Sequence, residues 1–226
     1  MKNTLEVIFV ALFIVLGFSP AAFSQGKDLT YADIFKMEQT AMTLLRSTPY
    51  RSTWTSWNFP ERGKEPSYRG VFTYEIDATG RTRSVQENHT PGSFNRMEGI
   101  FIGDKNYRKF DDGPWRVYPL PPSPLPITDT TPPTNSKPRF ENSVKLIETL
   151  NNNDGLVSVY ETISKATREE NGKDIVRIST NRFWFRYDGR LLRKDMELET
   201  IGEPRILKNS MVYEYENIKI EEPIVK

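Results

Sequence analysis

The stretch "NRFWFRYDGRLLRKDMELE", residues 181–199, has the pattern of a β-hairpin. Its first arm alternates aromatic side chains at Phe183, Phe185 and Tyr187. The turn "YDGR" leads to a second arm whose apolar side chains alternate in the same way: Leu192, Met196 and Leu198. The positions between them are charged: Arg193, Asp195, Glu197 and Glu199. Such a hairpin has one apolar and one solvated face, which is typical of an antiparallel sheet.

Two segments have the spacing of amphipathic helices. Residues 33–47 place apolar side chains on one face, with Thr30 or Asp33 as the N-cap and Pro49 as the stop. Residues 140–155 repeat the pattern with a stripe of Val144, Ile147 and Leu150, and end in Asn, Asp and Gly. The sequence therefore predicts two helices.

The remaining segments predict about eleven strands in a single domain. A flat sheet of that size would be about 50 Å wide, and two helices of about 10 Å each would cover less than half of it. Since exposed apolar surface costs about 25 cal/mol per Å², we expect an unclosed antiparallel β-barrel with the helices packed on its concave face. The last strand, residues 206–220, changes apolar phase, which predicts a bulge near Asn217. These patterns leave open whether the interior is filled or contains a cavity.

The N-terminal 24 residues have the composition of a secretory signal peptide. Lys2 precedes an apolar run at residues 7–17, and small residues surround the expected cleavage point after Ser24. The run is shorter than the roughly 20 residues that span a membrane. The chain has no cysteine, so it has neither disulfides nor a lipid-modified cysteine. We expect a periplasmic protein with one folded domain, residues 25–226, and no transmembrane segment.

A proline-rich loop interrupts the strands at residues 119–139. It contains eight of the 16 prolines of the chain, which excludes a helix or a central strand. One interpretation is an extended connection between two halves of the domain. The other is a flap over the mouth of a ligand site, since long loops often have such roles.

The composition excludes several classes of function. The net charge is +1 with both signs interleaved, so no basic surface for nucleic acid is expected. With one histidine and no cysteine, the chain lacks the side chains of common metal centres and of thiol catalysis. The sequence also has no phosphate-binding glycine loop. We therefore expect no catalytic residues, no metal and no cofactor.

Four segments resemble one known superfamily. They are "YRGVFTYEIDATGR", "GIFIGDKNYRKFDDGPW", "FRYDGRLLRKDMEL" and "VYEYENIKIEEP", in that order along the chain. Their turns and aromatic positions are similar to those of the periplasmic lipoprotein-carrier (LolA-like) superfamily, which includes outer-membrane lipoprotein-sorting and LppX-type lipid-binding proteins. The resemblance implies an unclosed barrel whose apolar cavity, between sheet and helices, takes up acyl chains.

By this resemblance the protein would be a monomeric carrier or chaperone of a lipid or acylated protein. The chain has Glu75, Ile76 and Asp77 where lipoprotein carriers have a basic K-R-P sequence, which leaves other apolar ligands open. The alternative is an envelope sensor or protein-docking domain with the same fold. The side chains expected to line the cavity are Trp54, Phe72, Tyr74, Phe101, Phe183, Phe185, Leu192, Met196, Met211 and Tyr213.

Overall fold

The computed structural model describes residues 29–119, 138–152, 155–170 and 172–225. The expected signal peptide and residues 120–137 of the proline-rich loop lie outside these ranges. One helix, α1 (Tyr31–Leu45), precedes the strands. The first six strands are β1 (Tyr50–Phe59), β2 (Tyr68–Ile76), β3 (Thr82–Thr90), β4 (Ser93–Ile102), β5 (Lys105–Phe110) and β6 (Arg116–Tyr118). The other five are β7 (Arg139–Asn152), β8 (Gly155–Glu170), β9 (Lys173–Arg186), β10 (Leu191–Thr200) and β11 (Ile206–Glu214).

All eleven strands form one antiparallel sheet. Their order is β6-β5-β4-β3-β2-β1-β11-β10-β9-β8-β7. Each half is a meander of consecutive strands, and the pairing of β1 with β11 joins the two halves. The sheet is not closed, because β6 and β7 lie at opposite edges. The expected mainly β fold with an unclosed sheet of about eleven strands is confirmed.

Helix α1 is close to its expected position. Thr30 is the N-cap: its Oγ1 accepts a hydrogen bond from the backbone N–H of Asp33, and the Asp33 carboxylate accepts one from the N–H of Thr30 at 2.8 Å. This reciprocal pair is a capping box, which satisfies two donors that a helix start leaves free. The buried side chains of the helix are Ile34, Ala41 and Leu45.

The prediction of a second helix at residues 140–155 is wrong. This segment is β7, which pairs with β8 from Arg139 opposite Thr167 onwards. The register shifts between Leu146 and Glu148, so the strand changes phase there. After this shift Val144 and Leu150 lie on opposite faces, so their helix-like spacing marks no common face, while β8 supplies hydrogen-bond partners along the strand.

The last strand is shorter than expected. It ends at Glu214, and residues 215–225 continue without regular structure, so the expected bulge near Asn217 does not occur. The apolar phase changes because the chain leaves the sheet. Ile218 and Ile220 are buried against Ile100 and Tyr107, side chains of β4 and β5. We call residues 215–225 the C-terminal tail.

Candidate functional site: the inner face of the sheet

The inner face is defined here as the side of the sheet against which α1 packs. The helix covers mainly the half formed by β8 to β11. Phe183 and Phe185 stack at 5.9 Å between ring centroids, and Phe185 is only 3% exposed. The buried cluster consists of Ile34, Ala41, Leu45, Tyr160, Phe183, Phe185, Leu191 and Tyr213. Helix and strands therefore form a closed apolar core in this half.

Polar contacts fix the helix on this core. Lys194 Nζ lies 2.5 Å from Glu38 Oε1 of α1 and 4.9 Å from the centre of the Phe183 ring. The Tyr215 hydroxyl donates to the backbone oxygen of Leu191 at 2.8 Å, and burial raises the pKa of Tyr215 to about 12. Burial also raises the pKa of Tyr213. Both phenols are therefore neutral at physiological pH and leave no buried negative charge.

The space between helix and sheet is small. A cavity of ≈ 20 Å³ lies there, lined by Tyr31, Ile34, Phe35, Glu38, Thr162 and Phe183. Sites for drug-sized ligands measure about 300–1,000 Å³. This cavity is therefore too small for an acyl chain.

The other half of the inner face carries exposed apolar side chains. Trp54 of β1 stands opposite Met211 on one side and Phe72 of β2 on the other. Phe72 faces Gln86 of β3, and Gln86 faces Met97 of β4, which in turn faces Phe110 of β5. Trp54, Phe72 and Phe110 are 45%, 37% and 51% exposed. We call Met211, Trp54, Phe72, Met97 and Phe110 the apolar row. It crosses six strands and is about 24 Å long.

The expected cavity residues divide between the two halves. Phe183, Phe185 and Tyr213 belong to the core under the helix, and Met211 packs against that core at its margin. Trp54 and Phe72 lie in the apolar row. The remaining four, which are partly buried, are Tyr74, Phe101, Leu192 and Met196.

The strand register shows where these four side chains lie relative to the core under the helix and to the apolar row. Tyr74 and Phe101 follow the inner-face alternation of Phe72 and Met97, and the Tyr74 ring lies 6.1 Å from that of Tyr50. Met196 stands opposite Asn209 and also lies on the inner face of the sheet. Leu192 lies in an irregularity of β10, where its neighbour Leu191 takes the fully buried place.

Sequence reasoning missed Met97 and Phe110. Met97, Gly99 and Phe101 alternate along β4, which is a recognisable strand signal. Phe110, however, is the last residue of a short strand before a turn, where alternation is too brief to assign a face.

The outer face, opposite α1, combines charged side chains with two buried valines of β8, Val157 and Val159. As expected, the charged side chains Arg193, Asp195, Glu197 and Glu199 share it. A shallow groove of ≈ 270 Å³ includes Trp57, Arg193, Asp195 and Glu197 in its lining. Its charges are already paired, for example Arg193 with Asp195 at 2.7 Å. The groove therefore offers no free charge to a ligand.

Within the described ranges, no group of three or more His, Asp or Glu side chains is arranged to hold a metal ion. Over the same residues no helix has the length and hydropathy to cross a membrane.

Comparisons with known proteins give a likeness to solved structures. No protein-family profile matches the chain. No curated protein matches it either. The structure is similar to that of a LolA superfamily protein from Nitrosomonas europaea, with 6% sequence identity and a TM-score of 0.29, over 82% of this chain and 94% of that one. At this TM-score nothing about ligand or partner carries over to the present chain.

Proposed function

We propose that the protein is a periplasmic carrier that binds a lipid or an acylated molecule along the apolar row, without catalysis. The observation that carries this proposal is the exposure of Trp54, Phe72 and Phe110 on one face of the sheet, where Trp54 and Phe72 are neighbours and Phe110 follows beyond Gln86 and Met97. Exposed apolar surface of this kind is typical of a binding site. The signal-peptide-like N-terminus supports export.

The physical basis is burial of the ligand's methylene groups. Each methylene that leaves water contributes about 0.8 kcal/mol, so ten contribute about 8 kcal/mol before the entropic cost of association. The ligand would lie on the open half of the inner face and not beneath the helix, where the cavity is only ≈ 20 Å³. The indole Nε1–H of Trp54 donates to Asn209 Oδ1 at 3.3 Å, which helps to orient the ring on this face.

A matched pair of tryptophans tests the proposal. Trp54 and Trp57 lie three residues apart on β1 but on opposite faces of the sheet. The probe is palmitic acid with an anthroyloxy fluorophore, titrated into purified protein. We expect Trp54→Ala to weaken probe binding by about tenfold or more, since removing most of a large aromatic contact costs at least about 1.4 kcal/mol.

The control variant is Trp57→Ala, which removes the same side chain from the outer face and should bind the probe like the unaltered protein. Equal loss in both variants would contradict the inner-face site. Native mass spectrometry of protein purified from a bacterial periplasm would identify a bound lipid. Ligand-free protein that also ignores the probe would contradict the carrier proposal.

The second candidate is a protein-docking or sensor domain of the cell envelope. One observation favours it: the described residues enclose no cavity of ligand size beneath α1. A pull-down with the intact chain and with residues 123–137 deleted separates the two candidates. A partner protein lost on deletion favours docking, while probe binding retained on deletion favours the carrier.

A further inference from the structure

The two edges of the sheet are built differently. Edge strand β6 has three residues and is bounded by Pro114 and Pro119. Proline cannot donate a backbone hydrogen bond, so this edge is protected from further pairing. Edge strand β7 has 14 residues and, among the strands described, pairs only with β8. The exposed edge is thus long at one end of the sheet and nearly absent at the other.

The side chains of β7 are also unusually exposed. Apart from Val144, each one that the structure describes is solvent-exposed. Phe140 and Leu146, both on the inner face, are 62% and 48% exposed. Free backbone N–H and C=O groups beside exposed apolar side chains are a template for strand addition. Residues 139–146, which precede the register shift, form a regular strand that could provide it.

We propose that two copies of this chain associate by antiparallel pairing of their β7 strands, with the two-fold axis at Ser143. In this register residues whose numbers sum to 286 stand opposite each other. Phe140 then faces Leu146 of the other copy on the inner face, and Glu141 faces Lys145 on the outer face. Because the axis relates the two strands, each pair occurs twice.

Charge selects both this partner and this register. Glu141 accepts a hydrogen bond from Lys165 at 3.2 Å, whereas Lys145 makes no ion pair within the described ranges. Pairing two copies would place each Lys145 beside the Glu141 of the other, which extends the row of alternating charges across the interface. Lys145 stands opposite Glu161 of β8, whose carboxylate pairs with Arg182 at 2.8 Å, so a second copy of the chain supplies Lys145 with a further carboxylate.

Neighbouring registers lack this match. In a dimer whose two inner faces lie on the same side, each residue must face a residue that points to that side. The two-fold axis, which is perpendicular to the sheet, must therefore pass through a residue and not between two residues. Moving it to Asn142 brings Arg139 opposite Lys145, which is repulsive. Moving it to Val144 leaves Lys145 opposite Ser143. Only the axis at Ser143 combines both apolar pairs with both opposite-charge pairs among these three choices.

The proposal does not depend on the ligand proposal, and it replaces the sequence-based expectation of a monomer. A helix at residues 140–155 would satisfy its own backbone groups, whereas an edge strand presents half of them to a partner.

A charge-exchange experiment tests the register. In its homodimer, Lys145→Glu would set two carboxylates opposite each other at both charged pairs, and Glu141→Lys would likewise set two ammonium groups opposite each other. Sedimentation equilibrium of each purified variant should show a dissociation constant raised by about tenfold or more relative to the unaltered chain. An equimolar mixture of the two variants should regain dimerisation. In each mixed dimer one facing pair joins the two introduced side chains, and the other joins the two original ones. Both pairs are of opposite charge, so the repulsion present in the two homodimers is absent.

An apolar control tests the edge itself. Phe140→Lys places a charge at the proposed interface, and Phe94→Lys makes the same change at a 55% exposed phenylalanine of β4, away from β7. We expect the first variant to be monomeric and the second to dimerise normally. An unaltered chain that stays monomeric at its highest soluble concentration would overturn the proposal. So would a variant mixture that associates no better than its components.

Discussion

The two halves of the sheet are covered by different segments of the chain. On the inner face, α1 buries Phe185 of β9 to 3% exposure, while Phe72 of β2 remains 37% exposed. On the outer face the C-terminal tail buries Ile218 and Ile220 against β4 and β5, and Val157 and Val159 of β8 are buried in the other half. Strands with similar alternation therefore acquire different roles according to which side another segment covers. The half whose inner face stays open is the half to which we assign the proposed apolar ligand.

The strongest test of this difference is a pair of phenylalanine truncations. Phe185→Ala should lower the free energy of unfolding by about 3–5 kcal/mol, because it leaves a cavity in a closed core. Phe72→Ala should lower it by under about 1 kcal/mol, since that ring keeps much of its surface in water. Urea denaturation monitored by circular dichroism measures both. Similar losses in the two variants would show that the halves are equally packed.

The attachment of the helix gives the next largest effect. Lys194→Met keeps the side-chain stem on Phe183 but leaves Glu38 without its charged partner. We expect a loss of about 1–3 kcal/mol in the free energy of unfolding, measured by urea denaturation. The double variant Lys194→Met/Glu38→Gln should recover part of this loss, because no unpaired charge remains. A double variant less stable than the single one would contradict this account.

The attachment of the tail should depend on pH. Burial raises the pKa of the Asp77 carboxyl, but hydrogen bonds from Thr79, Arg81 and Ile220 outweigh it and hold the pKa below its ordinary value. A carboxyl whose pKa is lower in the folded state contributes stability above its unfolded pKa of about 3.9 and loses it as the pH falls. Asp77→Asn should therefore cost about 1–2 kcal/mol at pH near 7, and the difference should shrink below about pH 4. Urea denaturation at a series of pH values measures it, and a cost that does not change with pH would contradict the role of the carboxylate.

The smallest effect is expected within the same tail. The Lys219 side chain pairs with Glu221 at 3.1 Å but is 80% exposed. Lys219→Ala should change the free energy of unfolding by under about 0.5 kcal/mol at any pH, as the same denaturation series would show. A larger effect would mean that the tail is held by its surface charges and not by Ile218, Ile220 and Asp77.

Alternation predicted most of the fold from the sequence. The hairpin at residues 181–199 and the division into an apolar and a charged face follow directly from side-chain period. Residues 140–155 were wrongly assigned to a helix, because Val144, Ile147 and Leu150 are spaced by three although Val144 and Leu150 lie on opposite faces of β7. Long-range pairing with β8 decided that segment, and pairing is invisible in one strand read alone.

The candidate site could be predicted only in part. Register places Trp54 and Phe72 side by side, as an inner face requires, but their exposure depends on where a distant helix lies. Glu75 and Asp77 illustrate a second limit of sequence patterns. Glu75 is paired with Arg51 at 2.7 Å on the outer face, and Asp77 accepts a hydrogen bond from the tail at Ile220. Both roles depend on residues far away in the chain.

The pairing of β1 with β11 has a consequence for biogenesis. Arg51 and Glu214, which face each other in the middle of the sheet, are 163 residues apart. The first meander cannot gain its central neighbour until nearly the whole chain has been made or translocated. Pairing between segments so far apart in the chain slows folding. It also prolongs the time during which strand edges and apolar surfaces are exposed. Newly made molecules should therefore depend on protection from aggregation until their final strand arrives.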